Sequence, residues 1–203
     1  KAQMYLKANE DAVKKYREMC KEISCDFENK KNVVYSVNNT RKIEKELHAL
    51  VRIGYNPDFC GEIPVPINIA GAVIFQNQAQ FNPLKFLSFI SKGLTIYENT
   101  KVIEIRGKHA FTQDAKITAD YFIVTTHFPF MNKFGMYSLK LFQERSYVIA
   151  IENGPKIDGM YVDEAKKGMS FRNYENYLLI GGGGHRTGKE GGNYRELRAF
   201  SAI

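Results

Sequence analysis

Between Leu139 and Ile180 five short strand-like runs follow one another: Leu139 to Phe142, Tyr147 to Ile151, Met160 to Val162, Met169 to Phe171 and Tyr177 to Ile180. Gly154-Pro155 and Asp158-Gly159 punctuate them as turns, the pattern of an antiparallel sheet. A sheet of this kind needs a covered face, and the start of the chain supplies candidates. From Ala8 to Ser24 the residues Ala12, Val13, Tyr16, Met19, Cys20 and Ile23 recur three or four apart, the spacing of an amphipathic helix. Val33 to Val37 reads as a short strand. A second helix then carries Ile43, Leu47, Leu50 and Val51, with Asn39 or Thr40 as its cap and Gly54 as its stop. Pro57, Pro64 and Pro66 interrupt regular structure, which ends the first segment near Ala70.

The stretch from Ala72 to Thr126 has another pattern: strand (Ala72 to Phe75), helix, strand (Thr95 to Tyr97), hairpin, strand. Asn82 as N-cap, Pro83 at the first helical position and Gly93 beyond the end bracket a short helix with Leu84, Phe86, Leu87 and Ile90. Gly107 joins Val102 to Arg106 with His109 to Thr112 as a hairpin, and Tyr121 to Val124 reads as a strand buried on both faces. The fold class expected is α+β: a mixed, largely antiparallel sheet flanked by helices, interrupted by an α/β segment. There is no internal repeat.

Composition narrows the functional classes. The 203 residues suffice for one domain or two small lobes, and 44% hydrophobic with 25% charged residues is globular rather than disordered. No apolar run approaches the roughly 18 residues of a membrane span and no signal peptide opens the chain, so the expectation is a cytoplasmic protein without a membrane partner. Cys20, Cys25 and Cys60 form neither a disulfide framework nor a zinc motif and read as reduced, mostly buried thiols. The net charge is +7, but the lysines cluster on apparent helix faces and turns, as in Lys14, Lys15, Lys30, Lys31, Lys166 and Lys167, and form no basic stripe interleaved with aromatics. Nucleic acid is therefore not an expected partner. The chain begins at Lys1 and stops at Ile203 just after a helix-like start, Tyr194 to Phe200, and both ends look cut.

Gly181-Gly182-Gly183-Gly184-His185-Arg186-Thr187-Gly188-Lys189 comes near a phosphate-binding loop, but Glu190 stands where the magnesium-binding hydroxyl belongs. No Gly-x-Gly-x-x-Gly occurs anywhere. The four glycines fit either a strand end that turns tightly or a close approach of backbone to a flat ligand, with His185 and Arg186 beside it. His127 follows a buried-looking strand in Thr125-Thr126-His127-Phe128-Pro129, a position that commonly faces ligands, although a lone histidine is more often a hydrogen-bonded packing residue. His48 and His109 read as structural or exposed, and no spacing suits a metal or a Ser or Cys nucleophile. Arg145, Tyr147, Tyr161, Phe171, Arg172 and Tyr174 could hold a small carboxylate on one sheet face, although a merely amphipathic sheet explains them as well.

Four stretches in this order, Gln76 to Lys85, Tyr97 to Val102, Val124 to Pro129 and Gln143 to Tyr147, resemble the D-amino-acid oxidase-like family of FAD-dependent oxidoreductases, and within it the glycine oxidase-like members, some of which carry a Rieske iron–sulfur domain. The resemblance implies an oxidase substrate domain in residues 1–70 and 137–203, with 71–136 a segment of the FAD-binding domain. It implies that the full-length protein oxidises an amine or amino acid by hydride transfer to flavin, with this part forming the substrate cavity. Tyr161 and Arg172 match positions facing the substrate, with Tyr147 and His185 added as substrate-side candidates. Val102, Thr125, Thr126 and His127 fall on the cofactor side. Asp163 and Glu164 depart from the better-known oxidases. FAD is expected in the full-length protein and not on this chain alone, which lacks the glycine-rich βαβ unit and is expected to be inactive by itself. Its partners would be the small substrate and the remaining segments of the FAD-binding domain. The alternative is a non-catalytic module binding a small molecule or anion.

Overall fold

The computed structural model describes residues 1–131, 135–189 and 194–201. The chain divides into two compact units, one of Lys1–Lys92, Ser146–His185 and Glu190–Ile203, the other of Gly93–Arg145 and Arg186–Lys189. Helices α1 (Ala2–Met19), α2 (Thr40–Arg52) and α3 (Pro83–Ile90) accompany strands β1 (Glu28–Ser36), β2 (Asp58–Cys60) and β3 (Gly71–Gln80) in the first part of the chain. Strands β4 (Glu104–Arg106), β5 (His109–Phe111) and β6 (Lys116–Thr118) follow, then the short helix α4 (Tyr137–Lys140). Strands β7 (Glu144–Glu152), β8 (Met160–Asp163), β9 (Ser170–Tyr174) and β10 (Tyr177–Arg186) and helix α5 (Tyr194–Ser201) complete the order. No helix among the described residues is long and apolar enough to cross a membrane.

The first unit is built on a seven-stranded sheet of order β2-β3-β1-β8-β9-β10-β7. It is mixed: β1 pairs antiparallel with β3 and parallel with β8, while β8–β9 and β9–β10 are antiparallel. Val33 and Tyr35 of β1, Tyr161, Phe171 and Ile180 share one face and form the main core with Ala72, Val65, Ile157, Leu178 and Leu197. Ile63, Ile67 and Ile69 of the proline-rich segment cover it, and Phe200 of α5 meets Phe171 with ring centroids 5.3 Å apart. Each side chain of that size fully buried contributes about 1.5–3 kcal/mol. The opposite face carries Val73 and Phe75, against which α2 seats Ile43, Leu47 and Leu50. Helix α1 differs, since none of its 18 residues is buried. It is held near its C-terminus, where Tyr16 packs on Phe81 and Phe86 and Arg17 donates to Asn29 Oδ1 and to the Asn77 carbonyl.

The helix signals hold at the level of single atoms. Asn39 Oδ1 accepts from the Lys42 amide, and Gly54 follows α2 at φ +83°. Asn82 Oδ1 accepts from the amides of Leu84 and Lys85, and its side-chain amide donates to Tyr174 Oη. Strand lengths differ more from expectation. Both β1 and β3 run through polar sequence, because Glu28, Asn29 and Lys30 pair with Gln80, Ala79 and Gln78. Helix α1 starts six residues earlier than its apolar spacing suggests and ends at Met19, where a turn carries Ile23 and Cys25 into a cluster with Phe86.

Three expectations are corrected. Thr95 to Tyr97 and Tyr121 to Val124 are not strands, and Leu139 to Phe142 begins inside helix α4. Tyr121 and Ile123 are 90% and 88% exposed, and no described strand pairs with them. An apolar run becomes a buried strand only where neighbours bond both its edges. Strand β3, expected in the middle segment, belongs to the seven-stranded sheet, and the compact units separate at Lys92 and Gly93. The second unit holds the three-stranded antiparallel sheet β4-β5-β6, whose first turn uses Gly107 at φ +56°.

Replacing Asn82 by Ala removes two amide caps at once and is expected to cost about 1–2 kcal/mol in urea unfolding. Glu164 accepts from Ser36 Oγ and from Lys42 Nζ. The Lys42 bond, opposed by burial and aided by Ser36, holds its carboxyl below the ordinary value of 4.5. A lowered folded value means that this stabilisation is complete above about pH 4.5 and is lost as pH falls through the folded value. Glu164→Gln should therefore flatten the urea midpoint between about pH 6 and about pH 3 relative to the wild type.

Candidate functional site

The four glycines lie inside β10 rather than at its end. A Cβ on Gly181 would stand 2.6 Å from Ser170 Oγ, and one on Gly182 would stand 3.1 Å from Leu197 Cδ2, so both positions are set by close packing on the two sheet faces. Gly181 also faces Val148, whereas Gly182 faces Met169 and Leu197 on the core side. Continued unbroken, that alternation would send His185 to the side of Gly181. Gly183, at φ +63°, breaks it. His185 instead stacks on Tyr147, which packs against the core, with centroids 5.8 Å apart and planes 11° from parallel. Tyr194 of α5 meets the same Tyr147 ring edge-on at 4.7 Å.

The result is an imidazole fixed by stacking with one polar atom unanswered. His185 Nδ1 is buried and has no hydrogen-bond partner among the described residues. Such an atom costs about 1–3 kcal/mol unless something supplies the bond. Depending on its tautomer, it accepts from an N–H or donates to a carboxylate oxygen. Both groups are present in an amino acid.

Of the four expected substrate-side residues, the structure brings Tyr147 and His185 together and separates the other two. Tyr161 pairs with Phe171, and Arg172 pairs with Leu179. Successive residues of β9 point to opposite faces, so Tyr161 and Arg172 cannot line one cavity. Tyr161 is 3% exposed and its hydroxyl donates to the Asp158 carbonyl at 2.7 Å. Burial, with Asp158 beside it, pushes the phenol up to about 12. Arg172 is exposed and borders a cleft of about 160 Å³ with Asp26, Gln80, Asn82 and Tyr174. There Asp26 accepts from Lys85 and Tyr174, and chiefly the Lys85 bond holds its carboxyl below the usual range. Asp163 and Glu164 act locally: Asp163 Oδ1 caps the Ala165 amide, and Glu164 is tied to Lys42. Glu190 lies outside the described residues.

The cofactor-side candidates belong to the second unit. Val102 is half-buried beside β4, and Thr125 and Thr126 are exposed. His127 takes φ +61°, and the Phe128 amide donates back to the Thr126 carbonyl at 2.6 Å. A left-handed residue other than glycine stores about 1–3 kcal/mol and such residues cluster at ligand-binding turns. In the same unit Arg186 stacks over Phe142 at 4.8 Å. By themselves these residues do not fit a dinucleotide. The helix described in this unit, α4, is one turn long and starts from a left-handed Met136, which makes no cradle for a pyrophosphate. No group of three or more His, Cys, Asp or Glu side chains is placed to hold a metal among the described residues.

Comparison with known proteins gives a consistent picture. A family model described as FAD dependent oxidoreductase (DAO) matches residues 1–200. A protein of Bacillus subtilis (strain 168) named as a Rieske 2Fe-2S iron–sulfur protein, YhfW, is 30% identical over 214 residues, covering 93% of this chain and 40% of that protein. L-proline dehydrogenase from P. horikoshii has a TM-score of 0.69 at 15% identity, covering 95% of this chain and 59% of the other. Glycine oxidase from Geobacillus kaustophilus has a TM-score of 0.65 at 14% identity, covering 93% and 55%. The chain thus spans less than two thirds of each of these relatives, and the structural likeness is one of fold.

Replacing His185 by Phe keeps the stack on Tyr147 and deletes the unanswered nitrogen. In the chain alone this variant is expected to unfold at the same urea concentration as the wild type or a higher one. A loss of more than about 1 kcal/mol would mean that a ring nitrogen of His185 does have a partner.

Proposed function

The chain belongs to the FAD-dependent oxidoreductase family, and we propose that it is the part of an amine- or amino-acid-oxidising flavoenzyme that shapes the substrate cavity. The observation that carries this reading is the buried Nδ1 of His185, unanswered among the described residues and held by Tyr147 just beyond the four glycines of β10. Its bonding capacity matches either the amine or the carboxylate of such a substrate. The fold shared with L-proline dehydrogenase and glycine oxidase supports the same substrate class.

In this reading His185 and Tyr147 bind and orient the substrate, and the apolar rings of Tyr147 and Tyr194 keep water from it. Val102, Thr125, Thr126 and the strained His127 border the cofactor in the whole protein. The redox chemistry is the cofactor's own, and the protein contributes binding and orientation. The pyrophosphate site is supplied by residues other than those described in this chain. On its own the chain is therefore expected to be colourless after desalting, and a stoichiometric flavin spectrum surviving that step would overturn the division of labour.

The test of the substrate site uses the full-length protein. Flavin-reduction rates are measured for His185→Phe, Tyr147→Leu and Arg172→Lys over a panel of amino acids and N-methyl amines, with melting temperatures alongside. A lost hydrogen bond of about 1.4 kcal/mol is a factor of ten, so His185→Phe should lower kcat/KM about tenfold or more at unchanged melting temperature. Arg172→Lys, on the opposite sheet face, should leave it unchanged. Unchanged kcat/KM in His185→Phe across the whole panel would remove this residue from the site.

A further inference from the structure

Two of the three cysteines meet. Cys20 is the C-cap residue of α1, and Cys25 lies five residues on, just before β1. The Cys25 thiol donates to Cys20 Sγ at 3.3 Å, so the two sulfurs are in contact without being bonded. Cys25 is buried in the small cluster with Ile23 and Phe86, whereas Cys20 is half-buried at its edge, open to a small reagent. The intervening residues form turns, which can absorb the remaining approach of the sulfurs toward the roughly 2.05 Å of a disulfide.

Their position matters because of what α1 lacks. The helix buries none of its residues, and its first turns, at Tyr5, Leu6, Asn9 and Val13, overhang a cavity of about 770 Å³ whose floor includes Val34, Leu50 and Phe75. Its anchorage lies at Tyr16 and Arg17, one turn before Cys20. Cys25 stands on the sheet side of that anchorage, since its carbonyl accepts from the amide of Asn82, the cap of α3, at 2.7 Å. A covalent link between the two sulfurs would tie the end of α1 to the N-terminus of α3.

We propose that Cys20 and Cys25 are a redox modification site, a thiol pair that a low-molecular-weight disulfide converts to a reversible intrachain disulfide fastening α1 to the sheet. Cys20, the accessible partner, loses its proton and attacks one sulfur of the small disulfide. That S–S bond breaks, a mixed disulfide forms on Cys20 and one small thiol leaves. Cys25 then loses its proton and attacks Cys20 Sγ. The mixed disulfide breaks, the protein disulfide forms and the second small thiol leaves. Two protein thiols are oxidised by two electrons and one small disulfide is reduced to two thiols. Burial first, then the bond from Cys25, pushes the Cys20 thiol up to about 11. Thiolate is therefore scarce at neutral pH and exchange is slow, which suits a response to a sustained change in thiol poise.

The experiment incubates the chain with excess oxidised glutathione, quenches with acid and digests with trypsin. Cleavage after Lys21 separates residues 18–21 from 22–30, so a disulfide between Cys20 and Cys25 leaves these peptides joined until dithiothreitol is added. The expected result is the joined pair, together with slower amide exchange in the last two turns of α1 than in the reduced chain. Cys25→Ser, checked for folding by circular dichroism, should instead retain glutathione on Cys20. Separate peptides with unmodified or glutathionylated thiols in the wild type, or a link to Cys60, would overturn the proposal. A joined pair with unchanged exchange in α1 would overturn the fastening.

Discussion

The parallel pairing of Asn32–Tyr35 with Met160–Asp163 is the contact on which the first unit depends. On one side of it lie β3 and β2, on the other β9, β10 and β7, so without it the sheet would be two sheets. Ser36 and Glu164, 128 residues apart, close the end of this seam by a hydrogen bond, and the Glu164 amide donates to the Tyr35 carbonyl. The Tyr35 hydroxyl reaches the Met169 carbonyl and continues the tie across the next strand pair. Parallel strands need a long connection, and here that connection includes Gly93–Arg145, the larger part of the second unit. The entropy of closing so long a loop grows only slowly with its length, so a few well-packed residues such as Val33, Tyr35 and Tyr161 suffice to hold it.

Pairing between distant strands also explains why the ends of α2 and α3 could be read from the sequence and the strand ends could not. A helix terminus is a local event: Asn39, Gly54, Asn82 and Pro83 act within four residues of themselves, and each behaves as its chemistry dictates. The polar halves of β1 and β3 are strand only because each provides the other with a ladder, information that neither stretch holds alone. Tyr121 to Val124 is the converse. Its apolar residues satisfy every local criterion for a strand, yet pairing is what makes a strand, and no described residues pair with it.

The candidate site was legible in its parts and not in its arrangement. Tyr147, Tyr161, Arg172 and His185 are all on the sheet, as their spacing suggests, but which residues share a face depends on register. Tyr161 and Phe171 are opposite one another, which sends Arg172 the other way. His185 was harder still, because its side is decided by the left-handed Gly183 two residues before it, and a run of four glycines does not announce which of them takes that conformation. Tyr194 reads only as the start of a helix, and its contact with Tyr147 is not anticipated. Aromatic residues at the first turn of a helix that follows a glycine-rich strand are the signal that could have found it.

Helix α1 makes a different kind of demand on its sequence. With no buried side chain, positions such as Met4, Tyr5 and Lys7 are under little pressure from packing. Substitutions there that keep ordinary helix propensity change stability by less than about 0.5 kcal/mol. Tyr16 and Arg17 are different, because two rings and two hydrogen bonds converge on them. Sequence drift in this helix should therefore be lopsided, rapid over its first three turns and slow over its last, so that two homologues could share almost no residues before Val13 and still set the helix at the same angle.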